Sequence, residues 1–275
     1  MNLFWSALVV VLAVALAVPV MLLVRRSAPE GSRFVDGDRA SGVFGVLATG
    51  FSVLLGFVVF LAFESYDQSR SGAEEEALVI AQQVETAQFL APPASAELTG
   101  ELVCYARYVV STEWPRAESG TAGDEINPWG AALFLTFKTV QPKTASEEAA
   151  YGKWLDQSSD REAARIDRIH GAVGVIPTPL WVVLLLISVV VFVFMLFFAD
   201  PGEGALAQGM LMGSVTTVVV SMLLLIAFLD SPFHKGVGGV RPVAMERTLR
   251  IVAEALQAVD ARVHPPCNGR GTPVR

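Results

Sequence analysis

Four long stretches of this chain contain no Asp, Glu, Lys or Arg: residues 1–24, 40–63, 171–199 and 204–229. A helix that crosses the ~30 Å hydrocarbon core needs about twenty mostly apolar residues. All four stretches reach that length. In lipid the backbone must satisfy its own hydrogen bonds, so runs of this kind become helices. The pattern therefore predicts four transmembrane helices. A buried helix of a soluble core is the alternative for any single run, and four such runs in one chain count against it. The first run invites comparison with a signal peptide. It lacks a basic leading region, its apolar part is too long, and Arg25 and Arg26 follow it as they follow a membrane anchor. It is read as a retained helix, kinked at Pro19.

The polar segments keep a helical period. Between the second and third runs, Ala77, Ile80, Ala81, Val84 and Ala87 share one face of a helix over Glu74–Leu90, which Pro92 and Pro93 end. Leu98, Leu102, Tyr105 and Val109 form the stripe of a second helix, with Trp114–Pro115 as its stop. Asn127 as N-cap and Pro128 at the first helical position open a third. Thr144 and Glu147 form a capping box for a fourth, through about Ile169. After the last apolar run, Met245, Leu249, Val252, Leu256 and Val259 mark an amphipathic tail helix. No segment alternates as a strand. The fold class expected is all-α: four transmembrane helices, an all-helical polar segment between helices 2 and 3, and a C-terminal amphipathic helix. The boundaries are 1–63 for the first two spans, 64–176 for the extramembrane segment and 177–229 for the last two spans. The tail helix covers 230–264, and 265–275 are expected to be disordered.

Charge adds a division within the polar part. Residues 64–176 carry 9 Lys+Arg against 18 Asp+Glu, whereas residues 230–275 carry 7 against 4. An acidic segment could therefore dock on a basic tail. Nothing resembles the clustered basic surface of a nucleic-acid binder. The two cysteines, Cys104 and Cys267, permit a disulfide without demanding one.

Two apolar runs also carry small-residue stripes. In the second, Gly42, Gly45, Thr49, Ser52 and Gly56 recur at spacings of 3 and 4, and in the fourth, Gly209, Gly213, Thr217 and Ser221 lie four apart. Small faces let helix backbones approach closely. Both stripes suit packing inside one bundle. The sharper reading of the first is a narrow pore lining or an oligomer contact, with Phe51, Val58 and Phe63 as candidates for an apolar constriction. The third run is bulky all round and suits lipid. No ionisable residue sits mid-membrane, which argues against a proton-coupled transporter. Glu64 and Asp230 end the second and fourth runs as interfacial acids, either solvated or paired with Arg70 or Lys235.

Catalytic and metal-binding patterns are thin. The "EEE" at Glu74–Glu76 reads as the solvated first turn of a helix. His264 and Cys267 supply at most two ligands of a metal site, and "KGVGGV" lacks a P-loop ending and reads as a hinge. No cofactor and no enzymatic activity are expected.

Four spans put both termini on one side with the 64–176 segment. Lys and Arg near the span ends number eight there: Arg70, Arg161, Arg165, Arg168, Lys235, Arg241, Arg247 and Arg250. The opposite side holds four: Arg25, Arg26, Arg33 and Arg39. The positive-inside rule then favours cytoplasmic termini, although the Arg25–Arg26 pair beside the first span argues the other way.

The stretches "LLGFVVFLAFESYDQSRSGAEEEALVIAQQVETAQFL", "CYARYVVSTEWP" and "FLDSPFHKGVGGVRPVAMERTL" resemble the bestrophin-like domain family of bacterial membrane proteins. The resemblance covers roughly residues 40–262. It implies a multi-pass protein of the bacterial plasma membrane with lipid around it, homo-oligomeric, with ions as partners. By comparison with bestrophins, which are pentameric anion channels, it implies that the second span lines a pore and that the termini lie inside. The chain departs from animal bestrophins in lacking their dense acidic, calcium-binding cluster after the fourth span. Asp230 is followed here by Ser231, Pro232, Phe233, His234 and Lys235. A non-conducting scaffold, whose acidic helices bind a partner, is the alternative function.

Overall fold

A computed structural model describes residues 3–29, 33–34, 36–121, 126–258 and 263–274. In chain order the helices are α1 (Leu3–Arg26), α2 (Gly37–Ala87), α3 (Ala94–Tyr108), α4 (Trp114–Glu118), α5 (Pro128–Lys138), α6 (Ala145–His170), α7 (Thr178–Phe197), α8 (Ala205–Leu229) and α9 (Val243–Ala258). A π-helical turn, Val109–Glu113, joins α3 to α4. The described residues contain no strand beyond a single bridge between Cys267 and Pro273. The chain is all-α, and four helices are long and apolar enough to cross a membrane. It folds as two compact units: Met1–Glu64 with Val175–Asp230 and Lys235–Gly238, and Ser65–Gly174 with Ser231–His234 and Gly239–Arg275.

The first unit holds the apolar spans. Phe51, Leu55 and Val58 of α2 pack with Leu184 and Val191 of α7 and Ile226 of α8. Ala17 and Met21 of α1 meet Ala199 and Met212 in a second cluster. The α7–α8 connection is held by Arg25. Its guanidinium donates to the carbonyls of Asp200 (3.2 Å), Pro201 (2.9 Å) and Glu203. These are the acceptors that a helix end and a tight turn leave unpaired.

The second unit is built on helix caps and a mixed core. The Asn127 side chain accepts from Trp129 N–H (3.1 Å), and Pro128 opens α5. Thr144 Oγ1 accepts from Glu147 N–H (3.2 Å). Glu147 reaches back to Lys143 N–H rather than to Thr144 (2.6 Å). Leu98, Leu102, Tyr105 and Val109 are all buried, and Phe137 stacks on Tyr151 and Trp154. Met245 and Val252 of α9 are buried, and Leu249 and Leu256 pack against the same core. Val259 lies outside the described residues.

Three expectations change, and the cysteine pairing left open by the sequence is answered. The second span and the helix expected over Glu74–Leu90 are one helix of 51 residues that ends at Ala87, and no proline falls between them. Trp114–Pro115 does not stop α3. The wider π turn accommodates a proline that has no N–H to give, and helical geometry resumes in α4. Cys104 and Cys267 are joined in a disulfide. The tail expected to be disordered takes a fixed seat over residues 263–274, with Arg275 outside the described residues. Trp129 Nε1 donates to Gly271 O (2.6 Å), and Asn268 Oδ1 accepts from Arg270 and Thr272 N–H.

Candidate functional site: the open face of α2

In the first unit, α2 turns one face to its own core and leaves the opposite face open. Gly42, Gly45, Thr49, Ser52 and Gly56 all lie on the open side. A Cβ added at Gly42, Gly45 or Gly56 would meet nothing within 4 Å. The Ser52 hydroxyl turns back to Ala48 O (2.9 Å), the local bond that a serine makes on an otherwise unpartnered helix face. The stripe continues at the same 3–4 spacing into Phe60 and Phe63, which are 60% and 53% exposed. Val46, Val53 and Phe57 flank it and are exposed as well.

This geometry corrects the constriction proposed from sequence. Phe51 and Val58 face the core of their own chain, with Val58 0% exposed. Of the three residues named for the constriction, Phe63 alone shares the open face. Phe60 was missed, although continuing the stripe by four residues from Gly56 finds it.

The α8 stripe faces a different neighbour. Gly209 and Gly213 lie against Val14 and Val18 of α1, where an added Cβ would come within 3.4 and 3.6 Å of the valine methyls. Thr217 bonds to Gly213 O (2.7 Å) and is exposed, as is Ser221. The two interfacial acids also part ways. Glu64 is exposed. Asp230 Oδ1 accepts from Val175 N–H (2.7 Å) and Ile176 N–H (3.0 Å), in the approach to α7. A carboxylate suits that place, where backbone donors converge on a helix start. Neither Arg70 nor Lys235 supplies these bonds.

The second unit contains a buried ionic cluster that sequence reading did not find. Arg168 Nε bonds to Glu76 Oε2 (2.5 Å), and Arg168 Nη2 reaches both Glu76 and Glu113. Arg165 pairs with Glu113 (3.5 Å), and Tyr105 donates to Glu76 Oε1 (2.7 Å). Arg168 also lies over the Trp114 ring at 5.5 Å. Burial disfavours the charged guanidinium of Arg168. The carboxylates of Glu76 and Glu113 more than offset it and hold the pKa above its usual value. Burial, then the two carboxylates, push the Tyr105 phenol well above its ordinary value. Glu76 is therefore no solvated first-turn acid. It is 0% exposed, whereas Glu74 and Glu75 face out. The helical rotation of about 100° per residue separates the three. The π turn belongs to the same arrangement, since Glu113 is its last residue. Cys267 is committed to the disulfide, which removes it as a metal ligand beside His264. Among the described residues no group of three or more His, Cys, Asp and Glu could hold a metal ion.

Four apolar helices around a packed interior, with a helical unit of buried charges, define an integral membrane protein of multi-span helical type. A model of the Bestrophin-like domain matches residues 11–245, and the chain belongs to that family. Among solved structures it is similar to a bacterial bestrophin homologue from Klebsiella pneumoniae carrying a single substitution. That match has a TM-score of 0.67 at 12% identity and covers 92% of this chain and 98% of the other. A second variant of that homologue gives a TM-score of 0.67 at 14% identity, over 89% and 99%. A structure described as a membrane protein gives 0.66 at 13% identity, over 89% and 97%. At these identities the likeness is one of fold. No curated protein matches the sequence.

Proposed function

We propose that this protein is the subunit of an oligomeric ion channel in which the open face of α2 lines a shared conduction path. The observation that carries the proposal is the stripe from Gly42 to Gly56, continued by Phe60 and Phe63, which is exposed and against whose glycines nothing packs among the described residues. Glycines and hydroxyls give lipid little to pack against, and they suit water or a closely approaching helix. Phe60 and Phe63 would supply an apolar ring at one end of the path. Such a ring admits ions when wet and blocks them when dry. Family membership supports the reading. The comparison with bestrophins makes five the expected number of subunits.

The test is ion flux from vesicles containing the purified protein, after its subunit count has been measured in detergent. Gly56→Leu and Ser52→Leu are expected to abolish most of the flux while the oligomer persists. Flux unchanged by both substitutions would remove α2 from the path. An intact oligomer with no flux under any ionic condition would favour the scaffold reading, in which the acidic helical unit binds a partner.

A further inference from the structure

We infer that the helical unit, with both chain termini, faces an oxidising compartment outside the cytoplasm, and that the Cys104–Cys267 disulfide locks the C-terminal tail there. The tail and α3 are shaped for each other independently of the sulfurs. Gly271 has a φ of +73°, which suits glycine, and a Cβ at that position would fall 2.4 Å from Tyr108 N and 2.8 Å from Cys104 O. On the α3 side, a Cβ at Gly100 would fall 3.3 Å from Pro266 and 3.4 Å from His264 O. Arg107 and Ser111 donate to the carbonyls of Asn268 and Arg270. This seat brings the two sulfurs together inside the core, with Cys104 0% and Cys267 7% exposed. Disulfides of this kind persist where the surroundings are oxidising and are rare where glutathione and thioredoxin keep thiols reduced. Forming the bond takes two electrons and two protons from the two thiols. An extracytoplasmic thiol oxidase accepts them, and its own disulfide becomes a dithiol.

A second observation agrees. The count of cations that favoured cytoplasmic termini included Arg161, Arg165 and Arg168. All three belong to a folded unit and are turned into its interior. Folded domains and long loops cross membranes largely regardless of their charge, so these three carry no topological weight. Without them the eight become five, against four arginines in the single short segment 25–39, and the count no longer separates the two sides. Arg25 beside the first span spends its hydrogen bonds on backbone carbonyls, and no carboxylate accepts from it in those bonds. With the count nearly even, the Arg25–Arg26 pair decides, because charges beside the first span usually dominate orientation, and the short arginine-bearing connection is the cytoplasmic one. This reverses the orientation that the full count favours. It is independent of whether α2 lines a pore.

The test uses the full chain in intact bacterial cells. Free thiols are capped with a membrane-permeant maleimide, and the protein is denatured and treated with or without reductant. Newly exposed thiols are then labelled with a heavy polyethylene-glycol maleimide and read as a gel shift. Two adducts that appear only after reductant, in cells with a periplasmic thiol oxidase, are the expected result. Both cysteines already capped before reductant would overturn the inference. A C-terminal alkaline phosphatase fusion, active only outside the cytoplasm, reads orientation without reference to sulfur. It is expected to be active, and an inactive fusion on a stably expressed chain would also overturn the inference.

Discussion

In the membrane unit the buried residues include Phe51, Leu55, Val58, Leu184 and Ile226, and its two end-of-helix charges, Arg25 and Asp230, close onto backbone. Arg25 takes three carbonyls and Asp230 takes two amides. In the helical unit Arg168, Glu76, Gln83 and Tyr105 are all fully buried, and they bond to side chains. The contrast follows from the solvent. Where the surroundings are hydrocarbon, association rests on close packing, and a side-chain charge is best placed at a helix end. Where the surroundings are water, an ion cluster can be drawn inside because each member finds a partner. Its removal is then costly, since an unpaired buried charge remains.

Arg168→Leu gives the largest separation between the two regions. It leaves Glu76 and Glu113 facing each other in the core and is expected to cost about 3–5 kcal/mol in the helical unit. Thermal unfolding followed by tryptophan fluorescence would read the loss, because Trp114 lies under that guanidinium. A change below about 1 kcal/mol would mean that water reaches the cluster and the contrast is weaker than drawn. Replacing Cys104 and Cys267 together by serine removes a cross-link between residues 163 apart and is expected to cost about 2–4 kcal/mol. The double variant should also free the tail to proteolysis after Pro265.

The counterpart in the membrane unit is Asp230→Ala, which strips the acceptor from Val175 and Ile176 N–H. About 1–3 kcal/mol is expected, with Asp230→Asn close to the parent because an amide oxygen still accepts. Equal losses in both variants would show that the negative charge, rather than the acceptor, matters at the start of α7. Tyr105→Phe has a smaller effect, about 1.5 kcal/mol, since Arg168 still reaches Glu76 Oε1. It carries a pH signature. The folded pKa of Tyr105 is raised, so the folded state keeps a proton that the unfolded chain releases near pH 10. The stability from this group is complete below about pH 10 and is lost as the pH rises toward the folded value. The parent should weaken along that alkaline limb in chemical denaturation, and the phenylalanine variant should lack Tyr105's share of it.

Much of this architecture was legible in the chain. Long uncharged runs mark spans with little ambiguity, and Asn127–Pro128 and Thr144 mark helix starts through local hydrogen bonds. The α2 stripe was legible as a spacing, but its direction was not, because period alone does not say which face meets the core. Phe51 and Val58 were misplaced for that reason. Glu76 was hidden among three glutamates, and only its rotation toward α6 separates it from its neighbours. The disulfide and the tail seat depend on groups more than 140 residues apart, such as Trp129 and Gly271, and no local pattern announces such a pairing. The π turn is equally silent, since no glycine or proline marks its five residues.

Arg25 has a consequence for how the α7–α8 connection can vary. Its guanidinium grips carbonyl oxygens, which every residue type possesses, so the side chains at positions 201–203 are not what it recognises. Positions 201–203 can drift in sequence while the path is retained, and the burden of fidelity falls on Arg25 with Gln208, which donates to Asp200 O (3.0 Å). Lysine, with a single ammonium in place of a planar fork, cannot spread over the same set of acceptors.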